Sequence, residues 1–506
     1  MLDKENSLYD TDKKLFLGID KVFHSIKDHY GPIASSLSFF ENEGYLALSR
    51  ITLADPHENI GVEFAKAMAK KIHKKYLDGV TTGIILLYTL LKESYLLLDQ
   101  GLSLYKLCAA LKKMGEKLLV SLESHSWPLK DSNKAKGIIF SAFPDFTIAT
   151  ELAGAFSAVG SEGFISLSQL AVSNIQITQG LKIPCGYISP YFISQSTQRT
   201  IILSHPRIFV TDKKITSALS FLPLLQELQE NGEQLLIFCK GIDQDALATF
   251  TVNKFENLLQ IVVVDLNHPS LDPTFFEDIT LFTGTTVFSQ NFSPVMRLPE
   301  CASLGSCASV EISEKETVII RGNSVSEVLA LKIHQIEEEI RTSSSQEIKT
   351  LLIKRKHRLQ SSVAIVPVRE ENKFFYSLAL SALTSALDKG YVPGGGAGLF
   401  YASLNLSEEE EATEEERGAM NVIQACCRAP LGQLVNNLKL DSSIVINKLL
   451  SLSTPSLGMN VLSQQIEDLI ASGILDPLAK VSDIFSLALE TGLNILSSKV
   501  IINDTK

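Results

Sequence analysis

Two short segments constrain this chain most: Asp78-Gly-Val-Thr-Thr82 and Tyr391-Val-Pro-Gly-Gly-Gly-Ala-Gly398, more than 300 residues apart. Glycine lets backbone N–H groups come close to anionic oxygens. Threonine hydroxyls add donors, and a carboxylate can hold Mg2+ through oxygen. Taken alone, a Gly triplet is more often a turn than a ligand site. If the two segments form one site, the chain leaves a domain after the first and re-enters it before the second.

The bulk composition sets limits. A chain of 506 residues with 45% apolar content has room for several domains with real cores. No uncharged apolar run reaches the length of a membrane span, since charged residues interrupt even Ile84–Leu98. The N-terminus, Met1-Leu-Asp-Lys-Glu-Asn6, lacks the apolar stretch of a secretory signal. A net charge of -11 argues against nucleic-acid binding, and the one dense basic stretch, Lys354–Arg358, reads as a solvated helix face. Seven cysteines without CxxC spacing indicate buried thiols in a reduced, cytoplasmic protein, and the adjacent Cys426 and Cys427 make a poor zinc pair.

Periodicity changes three times along the chain. Leu15, Ile19, Val22, Phe23 and Ile26 recur at helical spacing, as do Ile60, Phe64, Met68 and Ile72. A strand-like interlude, Tyr45–Leu53, separates them. Trp127-Pro128 marks a boundary. Beyond Gly180 the pattern is strand–helix–strand: strands near Arg207–Thr211, Gln234–Cys239 and Gln260–Asp265, with helices near Ser217–Glu230 and Gln244–Asn257 between them. A helical hairpin follows around Ser343–Ser345. Phe374–Val500 is helical again, with an acidic run, Glu408–Glu416, that reads as a solvated loop. Helical, α/β, helical is the layout of an inserted domain.

On these residues the chain resembles the 60 kDa chaperonins of the GroEL type, nearly end to end. The matching segments, in order and near the expected spacing, are Asp55-Pro-His-Glu-Asn-Ile-Gly61, Asp78–Thr82, Gly186-Tyr-Ile-Ser-Pro-Tyr-Phe192, Ala246-Leu-Ala-Thr249, Gly394–Gly396 and Gly473-Ile-Leu-Asp-Pro477. The resemblance implies an α/β multidomain fold. A mostly helical equatorial domain (1–124 and 389–506) would hold nucleotide and ring contacts. A small intermediate domain (125–179 and 363–388) would act as the hinge, and an α/β apical domain (180–362) would bind clients and a lid.

The resemblance also implies ATP and Mg2+. Its nucleotide-binding positions fall on Gly31, Pro32, Asp78, Gly79, Thr81, Thr82, Gly394, Gly395, Asn460 and Asp476, with Asp78 as both metal ligand and catalytic group. Several positions depart from the pattern. Leu77 and Val80 replace a Gly and a Thr, Asn42 replaces a Lys, and the first catalytic Asp is Glu43. The second catalytic Asp, eighteen residues before Gly396, is Leu378, with no acid within one helical turn. A misaligned gap hiding Glu370 or Glu371 is the alternative. Loss of a general base typically lowers a rate by about 100- to 10,000-fold.

Client-binding positions implied by the resemblance are Tyr187, Tyr191, Phe192, Leu222, Leu225, Leu247 and Val252; Thr251 stands where an apolar residue is usual. The segment between Pro32 and Glu43 is short for the hairpin that joins neighbouring subunits, and Ile501–Lys506 carries no Gly-Gly-Met tail. Ser361-Ser362 replaces one Gly-Gly hinge, while Gly180 keeps the other. No P-loop is present, which disfavours an unrelated ATP-using enzyme. Two readings stay open. One is a chaperonin that assists folding of unfolded or misfolded clients, binding nucleotide with impaired hydrolysis. The other is an ATP-independent holdase, acting as a monomer, a small oligomer, or in mixed rings with a standard paralogue.

Overall fold

Apolar stripes at helical spacing need a partner surface, and in the first of two units that partner is other helices. The structure, a computed structural model, describes residues 2–31, 48–161, 163–168, 174–193, 200–256, 259–268, 271–290, 298, 300–323, 326–343, 345–407, 412–452 and 454–498. One unit comprises Met1–Ser157 with Val368–Lys506, the other Ala158–Pro367.

The first unit opens with α1 (Leu2–Ile26), α2 (Pro56–Tyr76), α3 (Val80–Asp99), α4 (Leu104–Ser124), α5 (Ser132–Ala142) and α6 (Phe146–Val159). Leu15, Ile19 and Val22 of α1 are fully buried against α2 and α3, as their spacing predicts. Asp55 caps α2, accepting from the His57 N–H at 2.8 Å, with Pro56 at the first helical position. By length and composition α3 could cross a membrane, but Ile84, Ile85, Leu86, Leu87, Leu90 and Leu91 all lie in the helical core. Of the expected strand Tyr45–Leu53, residues 48–50 are helical and 51–53 join no ladder; 45–47 lie outside the described residues.

The second unit is built on a sheet ordered β1-β9-β2-β8-β7-β4-β5-β6, with β3 also on β7. These strands are β1 (Phe164–Ser168), β2 (Gln176–Ile183), β3 (Ile201–Ser204), β4 (Arg207–Val210), β5 (Leu235–Cys239), β6 (Ile261–Asp265), β7 (Gly305–Ile312), β8 (Thr317–Gly322) and β9 (Ser362–Pro367). The expected parallel part is β4-β5-β6, whose central strand is buried throughout, as a strand covered on both faces must be. Helices α7 (Leu222–Asn231) and α8 (Gln244–Phe255) are its two crossovers. Since parallel crossovers are right-handed and β4, β5 and β6 follow one another in space, both helices cover the same face.

Helices α9 (Thr274–Thr283), α10 (Ser326–Thr342) and α11 (Gln346–Leu359) complete the unit. The basic stretch on α11 is a solvated face only in part: Lys354 and His357 are exposed, but the two arginines are not. Arg355 and Arg358 are nearly buried and both grip Asp278 of α9, whose side chain is wholly excluded from solvent. Glu277 and Asp272 pair with the same two arginines, and Arg358 lies over the Phe275 ring. The i, i+3 spacing of Arg355 and Arg358 places both on one face, and that face is turned inward.

The chain then re-enters the first unit through α12 (Lys373–Lys389), β10 (Tyr391–Pro393), α13 (Ala397–Leu404), α14 (Glu414–Asn437), α15 (Ser442–Leu452), β11 (Leu457–Asn460), β12 (Gln465–Asp468), β13 (Leu475–Pro477) and α16 (Leu478–Ser497). The return is therefore not purely helical: β10 pairs with β13, and β11 with β12. The end of the acidic run starts α14, where Thr413 and Glu416 form a capping box and Glu415 and Glu416 pair with Lys106 and Lys113. Six of the seven free cysteines are buried, and Cys108 is half-buried.

Candidate functional site

Asp78 is set by two left-handed residues in succession around it. Helix α2 ends at Leu77 (φ 60°), and Gly79 (φ 89°) starts α3. A side chain on Gly79 would strike Ile484 Cδ1 at 2.3 Å. The first N–H groups of α3, those of Thr81 and Thr82 included, have no acceptor within the helix, and Gly79 offers no capping side chain to take their place.

The glycine triplet lies beside the strand that carries Asp476. In the β10–β13 pair Val392 stands opposite Asp476, and the Gly394 N–H donates to the Ile474 carbonyl at 3.0 Å. Gly396 (φ 81°) starts α13, where a Cβ would fall 2.8 Å from the Leu431 nitrogen. The Gly395 N–H donates to the Asp476 carboxylate. Gly31 (φ 100°) is held by α14: Asn437 Nδ2 donates to the carbonyls of Lys27 at 2.9 Å and Tyr30 at 2.8 Å. The Leu434 side chain reaches both glycine turns, since a Cβ on Gly31 would meet it at 2.5 Å and one on Gly395 at 3.6 Å.

The charges at this place interlock. Lys480, in the first turn of α16, forms an ion pair with Asp78. Burial works against ionised Asp78, but the Lys480 ammonium, with the Gly79 N–H and His73, outweighs it and holds the carboxyl below its ordinary pKa. Burial raises the Asp476 carboxyl despite Lys480; Asp78 adds to the rise and the Gly395 N–H opposes it. Burial also disfavours the Lys480 charge, yet Asp78 and Asp476 together raise its pKa. The Tyr30 phenol hydrogen-bonds the Thr82 side chain, and burial, with Asp476 and Asp78 nearby, raises its pKa. Gly31, Asp78, Gly79, Thr82, Gly394, Gly395 and Asp476 are thus linked at one place. Sequence reasoning missed Lys480 and Tyr30, although Lys480 follows Asp476 by four residues at a helix start and Tyr30 precedes Gly31.

Other expected residues are placed differently. Asn460 neighbours Met459, whose carbonyl lies 3.9 Å from a Cβ on Gly395. Its side chain, however, is engaged with Glu467 and with the Leu462 N–H of its own hairpin. Pro32, Asn42, Glu43, the 33–42 segment and the 501–506 tail lie outside the described residues. Leu378 is half-buried on α12, and the surrounding 374–382 carry no acid. Glu370 and Glu371 are exposed in a short 3-10 turn before that helix. Among the described residues no three His, Cys, Asp or Glu side chains gather as a metal cage. With its Oδ2 on Lys480, Asp78 has Oδ1 left for a Mg2+, which would share the carboxylate with the ammonium.

The second unit carries the expected client positions. Tyr191 is 74% exposed, Val252 57% and Leu222 42%. Phe192 and Leu225 are corrected to core residues, at 0% and 5%, because each sits on the inward side of its helical turn. Tyr187 is half-buried and bridges to Val264 in β6, and Leu247 packs half-buried on the core. Leu219 and Phe255, at 58% and 79%, are further exposed apolar side chains on the same two segments. The signal for both was i, i+3 spacing from Leu222 and Val252.

Known proteins agree with this architecture. The TCP-1/cpn60 chaperonin family model matches residues 33–506. Chaperonin GroEL 3 of Protochlamydia amoebophila (strain UWE25) is 31% identical over 92% of this chain and 88% of its own. The chloroplastic RuBisCO large subunit-binding protein subunit beta of Pisum sativum is 27% identical over 98% and 86%. The fold is shared with the chaperonin gp146 of Pseudomonas aeruginosa bacteriophage EL 2, crystallised with ATP-BeFx, at a TM-score of 0.69 and 17% identity, each chain covered to 98%. With turns this far apart in sequence meeting at Asp78 around an inserted α/β unit, and with relatives matching nearly end to end, the chain belongs to the TCP-1/cpn60 chaperonin family and is a chaperonin-type folding chaperone.

Proposed function

We propose that this chaperonin holds unfolded protein segments on the apolar strip of its second unit and binds ATP around Asp78, but turns ATP over slowly or not at all. The carrying observation is the meeting of Gly31, Asp78–Thr82, Gly394–Gly396 and Asp476, while residues 374–382 of α12 bring no carboxylate. The N–H groups that open α3 can hold phosphate without a general base, whereas hydrolysis needs one. Apolar burial has no directional demand, so exposed Tyr191, Leu222, Val252 and Phe255 suit clients of any sequence.

The reading carries the division into equatorial, intermediate and apical domains at 1–124/389–506, 125–179/363–388 and 180–362. The unit boundaries, 157/158 and 367/368, fall inside the two intermediate segments. It also carries a co-chaperonin lid and a ring, of this chain alone or with a standard paralogue. Unpaired thiols support a reduced compartment, the cytoplasm.

The second reading, a passive holdase as monomer or small oligomer, is favoured by Leu378 alone. Native mass measured with and without ATP, together with steady-state ATP turnover, tests both. Binding with little turnover supports the proposal, and a monomer indifferent to nucleotide moves the conclusion to the holdase. A turnover rate like that of an ordinary chaperonin, abolished by Asp78→Ala, refutes impaired hydrolysis.

A further inference from the structure

Lys480 is the cation in direct contact with Asp78, with His73 adding a weaker favourable charge, and nothing in the motif pattern asked for it. Its side chain is 14% exposed, it follows Pro477 in the first turn of α16, and its ammonium sits on Asp78 Oδ2. The stem runs past the turn that Asp78 belongs to: a Cβ on Gly79 would lie 3.3 Å from Lys480 Cε. Asp476, on the adjoining strand, faces the same ammonium. A buried stem on a fixed helix start leaves little rotamer freedom to lose on binding, which favours a preorganised role.

An ammonium and a magnesium ion answer the same need differently. Mg2+ dehydrates reluctantly and relies on one or two carboxylates plus substrate phosphates. A lysine carries three donors, so contact with Asp78 leaves others free for a phosphate oxygen. Resting on the reading of this place as a nucleotide pocket, we propose that Lys480 is its built-in countercation, bridging Asp78 to the nucleotide polyphosphate so that binding needs no divalent ion.

The test is ATP binding to the full chain, by calorimetric titration, in Mg2+ and in excess EDTA. Affinity in EDTA is expected within about threefold of that in Mg2+, because a charge-assisted contact replaces the ion. Lys480→Met is expected to weaken binding in EDTA by about tenfold or more, and Lys480→Arg to retain most of it. In Mg2+ the Met variant is expected to recover, since Asp78 is then free to take the metal. Binding by the native chain that vanishes in EDTA and returns with Mg2+ overturns the inference and leaves the pocket standing. Equal affinity of the native chain and Lys480→Met in EDTA overturns it as well. No binding under either condition overturns the pocket reading and this inference with it. Should Lys480→Met fail to fold, judged by its far-ultraviolet spectrum, the EDTA comparison on the native chain decides alone.

Discussion

Replacing Asp278 by asparagine removes the charge at the centre of the ion cluster that fastens α11 to α9. The carboxylate has no solvent exposure and accepts from Arg355 Nε at 2.9 Å and Nη2 at 2.8 Å, and from Arg358 Nε at 2.9 Å. The two guanidinium side chains are themselves only 10% and 12% exposed. Removing one partner of a buried ion pair costs about 3–5 kcal/mol, mostly because the remaining charge is left uncompensated. Here Arg355 keeps Glu277 at 2.7 Å and Arg358 keeps Asp272 at 3.3 Å, which places the cost at the lower end, about 3 kcal/mol. That corresponds to an opening equilibrium about 150-fold larger. Amide hydrogen exchange of peptides spanning 274–283 and 346–359, followed by mass spectrometry, reads local opening directly. The control is Arg341→Ala, which removes an exposed pair with Glu338 and is expected to change stability by less than about 0.5 kcal/mol. Exchange in Asp278→Asn faster by less than about threefold would refute the reasoning, and with it the view that the basic stretch works as a buried clamp.

Three further outcomes are expected. Burial raises the Glu311 carboxyl to about 6, against the Ser166 hydroxyl bound to it and with Glu316 adding to the rise. A folded-state pKa above the unfolded one contributes stability below about 4.5 that is lost as pH rises through about 6. Glu311→Gln is therefore expected to raise stability near pH 7.5 by at most about 2 kcal/mol, read as a higher thermal midpoint, and to give no gain near pH 4. Gly396→Ala and Gly101→Ala both incur left-handed strain of about 1–2 kcal/mol. Only the former drives a Cβ into the Leu431 nitrogen, so thermal unfolding should show an extra loss of about 1–3 kcal/mol, with weakened ATP binding in calorimetry. Tyr191→Ser and Phe255→Ser are expected to weaken capture of an unfolded client at an unchanged melting temperature. Phe192→Ser should instead lower the melting temperature, because that ring is core.

Much of the fold was legible because secondary structure follows local periodicity. The stripe Leu15, Ile19, Val22, the uniformly apolar strand β5 and the apolar run Ile261–Val264 of β6 each admit one arrangement that buries them, and the structure adopts it. The inserted layout was legible for the same reason. Periodicity names a face without saying what covers it, and the errors arose there. Arg355 and Arg358 looked like a solvated face because their partners, Asp272, Glu277 and Asp278, lie more than 75 residues away. Phe192 is turned inward beside exposed Tyr191, and Leu225 lies within the buried stripe Phe221, Leu224, Leu225 and Leu228, with Leu222 at its edge. The short ladders β10–β13 and β11–β12 were missed because three- and four-residue strands carry no periodic signal.

By itself the sequence determined the family, the layout of helical ends around an α/β insertion, and the two glycine-bearing turns, since these rest on local residue patterns that survive divergence. Only the tertiary structure decided what those turns meet. It carried Leu434 between Gly31 and Gly395, Tyr30 onto Thr82, and the Lys480 ammonium onto Asp78 across some 400 residues of chain. Electrostatics depends on distance in space and on excluded water, and neither can be read from a spacing along the chain.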